Sequence, residues 1–201
     1  SDVKLYELLS GYAVFANGGV YTEPMVLVRI EDKNGEVIKE YFPIQKEVLS
    51  KETAYKMIHL MRGATAPGGT AMGLARYGLI DGNEIAAKTG TTSNYSDAWF
   101  MGMTQDLIGG VWVGAEDRAV HFETIQYGQG ARMAMPAWGL FMQRVYEDKN
   151  IEYKKTRFLM PSTIRIAGDC AVTANEGFGS GAINTTPNSG ELRPEDDDEQ
   201  L

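Results

Sequence analysis

The sequence predicts an α+β fold, an antiparallel sheet with flanking helices, and three observations carry this. Three β-like segments, residues 84–92, 97–104 and 107–114, follow one another with only Ser93-Asn94-Tyr95-Ser96 and Gln105-Asp106 between them. Connections that short join antiparallel neighbours, because parallel strands need a crossover of roughly a dozen residues or more. Helical spacing occurs before and after this block rather than between its strands, so the βαβ alternation of a parallel sheet is missing. The length of 201 residues, with 43% hydrophobic and 23% charged, fits a single soluble domain with a real core.

The first helix is expected over residues 5–17, where Leu5, Leu8, Leu9, Tyr12, Ala13 and Ala16 recur at helical spacing. Asn17-Gly18-Gly19 ends it in the manner of a C′ glycine. Two β-prone runs follow, MVLVRIED and EVIKEYF. Lys33-Asn34-Gly35 between them is a hairpin signal. Ser50 is placed to cap a second helix with Ala54, Met57, Ile58 and Met61 inward. GATAPGGTAMG fits neither period and reads as a glycine-rich loop. After the sheet, Pro136 suits the first turn of a last helix, with Trp138, Phe141, Met142 and Val145 inward.

Residues 148–201 read as a C-terminal extension, largely disordered, with an acidic tail. From Pro187 onward there are six acids and one Arg193. Residues 158–170, FLMPSTIRIAGDC, are expected as a short strand docking on the domain, with a lipid-side or partner contact as the alternative.

Several function classes fall away. The net charge of −8 and the lack of a basic stripe argue against nucleic acid. Cys170 is the single cysteine, and His59 and His121 are the two histidines, both read as structural, so no metal site and no cofactor is expected. Gly177-Phe178-Gly179-Ser180-Gly181 has no strand before it or helix after it and reads as linker rather than phosphate loop. No apolar run approaches the ~20 residues of a membrane span.

The chemistry concentrates in Lys88-Thr89-Gly90-Thr91-Thr92, at the end of the apolar run Ile85-Ala86-Ala87. On a strand Lys88 and Gly90 face one way, Thr89 and Thr91 the other. Lys88 would supply a fixed positive charge that lowers the pKa of a nearby lysine or hydroxyl and attracts a carboxylate. Gly90 lets a ligand backbone come close. The Thr91 N–H could serve as an oxyanion donor, and the hydroxyls of Thr89, Thr91 and Thr92 can bind a carboxylate.

The stretch KTGTTSNYSDAWFMGMTQDLIGGVWVG resembles the region that begins at the third active-site motif of penicillin-binding proteins, most closely the transpeptidase domain of the bifunctional class A enzymes. The likeness extends upstream through LYELLSGYAVFANGGVYTEPMVLVRIEDKNGEVI and downstream to MAMPAWGLFMQRVY, covering about residues 1–147. It implies the C-terminal part of a fold shared with serine β-lactamases. It also implies a D,D-transpeptidase that cross-links peptidoglycan and binds β-lactams.

By the resemblance, Lys88 and Thr91 take catalytic roles and Thr89, Gly90 and Thr92 bind substrate, a stem peptide ending in D-Ala-D-Ala. Asp97, Trp99 and Gly102 match the family's next strand, with Trp99 read as packing. The implied location is the extracytoplasmic face of the bacterial inner membrane, with the anchor outside this chain. Two alternatives stay open: a β-lactamase or D,D-carboxypeptidase-like hydrolase, and a non-catalytic binding module.

The family's other two motifs are absent. The one Ser-x-x-Lys, Ser1-Asp2-Val3-Lys4, lies in a segment that follows the family's nucleophile, and Ser-x-Asn occurs nowhere. The chain is therefore expected to be inactive alone and to need the missing N-terminal part of the same domain as its partner.

Overall fold

Helix α1 (Leu5–Ala16) opens the chain in the computed structural model, which describes residues 3–164. The Glu7 carboxylate accepts the Lys4 N–H at 3.1 Å, satisfying one orphan donor of the first turn. The helix ends in a Schellman motif: Gly19 N–H reaches Val14 O at 2.8 Å and Gly18 N–H reaches Phe15 O at 3.2 Å. Gly18 there has φ 63°, a conformation open to glycine at little cost. Ser10 is buried because its hydroxyl donates to Tyr6 O at 2.8 Å.

Two ribbons follow. Strand β1 (Val20–Thr22) pairs antiparallel with β4 (Gln45–Glu47), and between them β2 (Arg29–Glu31) pairs with β3 (Val37–Glu40). The hairpin forms at the expected turn, but its strands are shorter than the apolar runs and stand in solvent, with Val26 95% and Phe42 78% exposed. Asp32 builds the turn by accepting the N–H groups of Asn34 at 2.8 Å and Glu36 at 2.9 Å.

Helix α2 (Lys51–Arg62) starts at Ser50, whose hydroxyl accepts the Thr53 N–H at 3.2 Å. Ala54 and Ile58 are buried as expected, together with Tyr55. Met57 is not: it sits at the border of the buried stripe and is 38% exposed. The glycine-rich segment leads into a 3-10 helix (Met72–Tyr77) that buries Leu74.

The sheet is three-stranded in the order β5 (Ala86–Thr91), β6 (Asp97–Met103), β7 (Ile108–Gly114), all antiparallel. Register runs from Ala86↔Met103 to Thr91↔Ala98 and from Asp97↔Gly114 to Met103↔Ile108. Alternation along the strands gives each face its own core. Ala87 and Phe100 join Leu74, Met135, Trp138 and Met142 on one face. Ala86 and Met103 join Tyr55, Ile58, Phe158 and Ile164 on the other.

Short α3 (Ile125–Gly128) precedes α4 (Gly130–Glu147), which lies across the first face. Gly102 and Gly109 clear a berth for the Trp138 indole: a Cβ on either would come within 2.6 Å or 2.7 Å of it. Pro136 stands inside α4, not in its first turn. The helix begins earlier, at Gly130, because a tertiary contact described below anchors it there. Phe141, expected inward, is 58% exposed.

Beyond α4 the chain returns without regular structure. Glu84 N–H donates to Thr156 O at 3.0 Å, Phe158 N–H to Glu84 Oε2 at 3.0 Å and Leu159 N–H to Gln105 Oε1 at 2.8 Å. Phe158 and Ile164 are buried in the second core, so residues 158–164 dock on the domain, as irregular chain where a strand was expected; the rest of that segment lies outside the described residues. Cys170, the 177–181 glycine run and the acidic tail lie outside the described residues.

Candidate functional site

Strand β5 has β6 on one side and, among the described residues, no strand on the other. Thr92 N–H donates to Asp97 O at 3.1 Å across the β5–β6 pair. Backbone groups in an antiparallel ladder alternate in direction. Gly90 and Lys88 therefore share the orientation of Thr92, while the N–H and C=O groups of Thr91 and Thr89 point to the open edge. Ile85, next in that alternation, obeys it: its carbonyl accepts the Thr65 hydroxyl at 3.0 Å on the outer side. The glycine-rich loop thus covers the start of the edge, and the Thr89 hydroxyl donates to Thr70 Oγ1 at 3.2 Å.

Lys88 faces α1 and α2. It is exposed, and its ammonium donates to the carbonyl of Thr89. It stands on a largely apolar groove of about 560 Å³ lined by Leu8, Tyr12, Phe15, Met57 and Met61, with Glu7, whose carboxylate accepts the Lys4 N–H, on the same wall. A cation at the mouth of an apolar cleft attracts anionic ligands more strongly than one in open water, because low-dielectric walls concentrate its field.

Thr91 faces the opposite way. Its hydroxyl accepts the Gly130 N–H at 3.1 Å. The start of α4 lies against the strand pair here: a Cβ on Gly130 would come within 2.3 Å of Trp99 O and 2.6 Å of Gly90 O. Only a residue without a side chain fits between helix and sheet. The Thr92 hydroxyl is engaged in the turn, accepting Asp97 N–H at 2.9 Å and lying 3.1 Å from Ser96 Oγ. Tyr95 in the same turn has φ 59°, an uncommon value for a residue with a side chain.

The structure thus brings Lys88, Thr89, Gly90 and Thr91 onto one open strand edge, with two backbone donors, one ammonium and a threonine hydroxyl along it. Such an array suits an extended, carboxylate-bearing ligand. Thr92 is set apart, its hydroxyl turned into the β5–β6 turn. Thr70 and Gly130 escape a reading of the sequence, since each meets β5 only through the fold. The histidines take no part: His59 is half-buried on α2, and His121 Nδ1 lies 3.0 Å from Phe122 O. Among the described residues no group of three or more His, Cys, Asp or Glu could hold a metal ion. None of their helices is long and apolar enough to cross a membrane.

These features coincide with a family assignment. Residues 3–130 match the family model of the penicillin binding protein transpeptidase domain, so the chain belongs to that family. It is 33% identical over 154 residues to penicillin-binding protein 1A of Aquifex aeolicus, covering 75% of this chain and 20% of the relative. With penicillin-binding protein 1A of Clostridium botulinum strain Langeland it shares 30% identity over 178 residues, 89% of this chain and 19% of the relative. The chain thus spans about a fifth of the length of these curated relatives.

Among solved structures, penicillin-binding protein 1A from Haemophilus influenzae superposes with a TM-score of 0.68 at 24% identity, over 80% of this chain and 28% of that one. The penicillin-binding protein PonA1 of Mycobacterium tuberculosis gives 0.64 at 22% identity, over 98% and 47%. These structural likenesses establish the α+β fold expected from the sequence.

Proposed function

We propose that this chain forms one wall of the active site of a peptidoglycan D,D-transpeptidase of the class A kind. The observation that carries the reading is Lys88 at the mouth of the apolar groove, beside an open β5 edge that presents the Thr91 and Thr89 amides. PonA1 of Mycobacterium tuberculosis has been solved in complex with penicillin V, which supports β-lactams as ligands here too.

In the proposed reaction a serine from the missing N-terminal part of the domain attacks the carbonyl between the two D-Ala residues of a stem peptide. The C–N bond breaks, D-Ala leaves with a proton on its nitrogen, and an acyl-serine ester remains. An amine of a second stem peptide then attacks that ester, forms the new amide and frees the serine. The Thr91 N–H stabilises the oxyanion in both steps; such a donor is typically worth roughly 3–4 kcal/mol. Lys88 holds the substrate carboxylate and biases nearby protons, and Thr89 and Gly90 seat the extended peptide. We assign Thr91 Oγ1 and Thr92 to carboxylate binding as well: each hydroxyl accepts a backbone N–H, from Gly130 and Asp97 respectively, and retains its own O–H to donate to a carboxylate.

Residues 1–147 would form the C-terminal part of the transpeptidase domain and residues 148–201 its extension. The protein would work on the extracytoplasmic face of the inner membrane, anchored by a segment outside this chain.

The test is Lys88→Ala in the full-length protein, followed by acylation with a fluorescent penicillin. The expected result is a second-order acylation rate lower by about 10²-fold, the scale of a lost electrostatic contact. An unchanged rate would sink the assignment.

A further inference from the structure

Past the end of β5, on the same sheet face as Lys88, lies a second cavity of about 420 Å³ that the reading above leaves unused. Trp99 and Trp112 floor it, and Asp97, Glu116, Arg118 and Thr92 wall it. The two tryptophans are register partners across β6 and β7, with ring centroids 6.1 Å apart and planes inclined by 46°. Trp112 is 40% exposed, yet it is held from behind: its Nε1–H donates to Asp97 Oδ1 at 2.9 Å, and Ser96 Oγ lies 2.8 Å from Oδ2. An exposed indole locked in this way is a prepared binding surface, because little rotamer freedom remains to be lost on binding.

Charge selects the ligand. Two carboxylates and one guanidinium line the cavity, a net of −1. Aromatic faces attract cations as well, so both terms favour a positive group with an apolar stem. The location matches. Trp99 lies opposite Gly90, two residues along the strand from Lys88, or about 7 Å at the rise of a β-strand.

We propose that the Trp99–Trp112 trough binds the amine-bearing side chain of a peptide, holding its methylenes on the indoles and its ammonium toward Glu116. Given the transpeptidase reading on which the identity of that peptide rests, it is the acceptor strand, docked here by its ammonium; to attack the acyl group that amine must first give up its proton and move out of the trough along β5.

Tryptophan emission reads this directly. The chain has three tryptophans, and Trp138 is 1% exposed in the opposite core, so a change on titration reports Trp99 and Trp112. The probes are Nα-acetyl-lysine amide and Nα-acetyl-norleucine amide, which share most of the methylene stem and differ in the ammonium. The lysine derivative is expected to give a saturable shift, with binding about fivefold tighter than norleucine. Trp112→Ala should abolish the response, and Glu116→Gln, at an exposed position, should weaken it without risk to folding. No saturable shift, an equal response to norleucine, or a response that survives in both variants overturns the proposal. No acylation enters the titration, so its failure leaves the penicillin result for Lys88→Ala untouched, and the reverse holds too.

Discussion

Asp97 shows how one side chain can set the geometry of a surface. Partial burial pushes its carboxyl pKa up. Hydrogen bonds from Trp112 and Ser96, the charge of Arg118 and the contact with Thr92 outweigh that and hold it below the usual carboxylate range. The unfolded value lies near 3.9, so the folded carboxyl has the lower pKa. Its ionisation then favours the folded state above about pH 4, and that advantage disappears as pH falls through the lowered folded value. Asp97→Asn keeps an acceptor for Trp112 but loses the charge. It should melt below the wild type at pH 7, with the gap closing once the pH drops below about 4. A gap of constant size across that range would show that the charge contributes nothing. Asp32, on the hairpin, is held low as well, by the N–H groups of Glu36 and Asn34. It stands partly exposed on a solvent-facing hairpin, so salt and solvent blunt its effect.

At the scale of elements, the joint between α4 and the β5–β6 pair governs the candidate site. Gly130 packs on the backbone of Gly90 and Trp99 and donates to the Thr91 hydroxyl. Gly130→Ala must push helix and strand apart, at a cost of about 1–3 kcal/mol for overpacking. Gly102→Ala overpacks as well, against Trp138, but in the core, three register pairs from Gly90. Thermal melts should show comparable losses for the two variants. Penicillin acylation of the full-length protein should fall further for Gly130→Ala, because that change moves Thr91. Equal acylation in both would mean that the helix start does not position the strand.

Much of this was legible in the sequence. Short turns and strand alternation gave the three-stranded sheet and put Lys88 and Thr91 on opposite faces. Asn17-Gly18-Gly19 and Ser50 marked helix ends because capping is local chemistry. The misses have tertiary causes. Pro136 signals a helix start by its own geometry, but Gly130 anchors the true start from 39 residues beyond Thr91. Met57 and Phe141 carry the right hydrophobicity for the core, yet Met57 lines the open groove beside Lys88 and Phe141 stands 58% exposed on α4. Thr70 meets Thr89 only because a loop without any period runs along the strand edge.

For the molecule as a whole, the exposed apolar surface is the dominant fact. Val26, Leu27, Ile38, Phe42 and Ile44 on the two ribbons are all more than half exposed. The groove between α1 and α2 adds a second apolar surface, open on the side of Lys88. Full burial of one such side chain would contribute about 1.5–3 kcal/mol, and contiguous patches of this kind mark surfaces that another part of a protein covers. The relative from Aquifex aeolicus, about four times longer, has chain to spare for that role. The net charge of −8 gives the molecule some self-repulsion, but charge acts over about 10 Å at 0.1 M salt and does not shield an apolar ribbon at contact. The isolated chain is therefore expected to self-associate as its concentration rises, or to melt over a broad range. Sedimentation and calorimetry at two concentrations read this, and a sharp, concentration-independent transition of a monomer would count against it. The same preparation is expected to take up no covalent label from a fluorescent penicillin, because the one Ser-x-x-Lys, Ser1-Asp2-Val3-Lys4, falls in a stretch that resembles a region following the family's nucleophile. A labelled serine would show instead that the chain can open a β-lactam by itself.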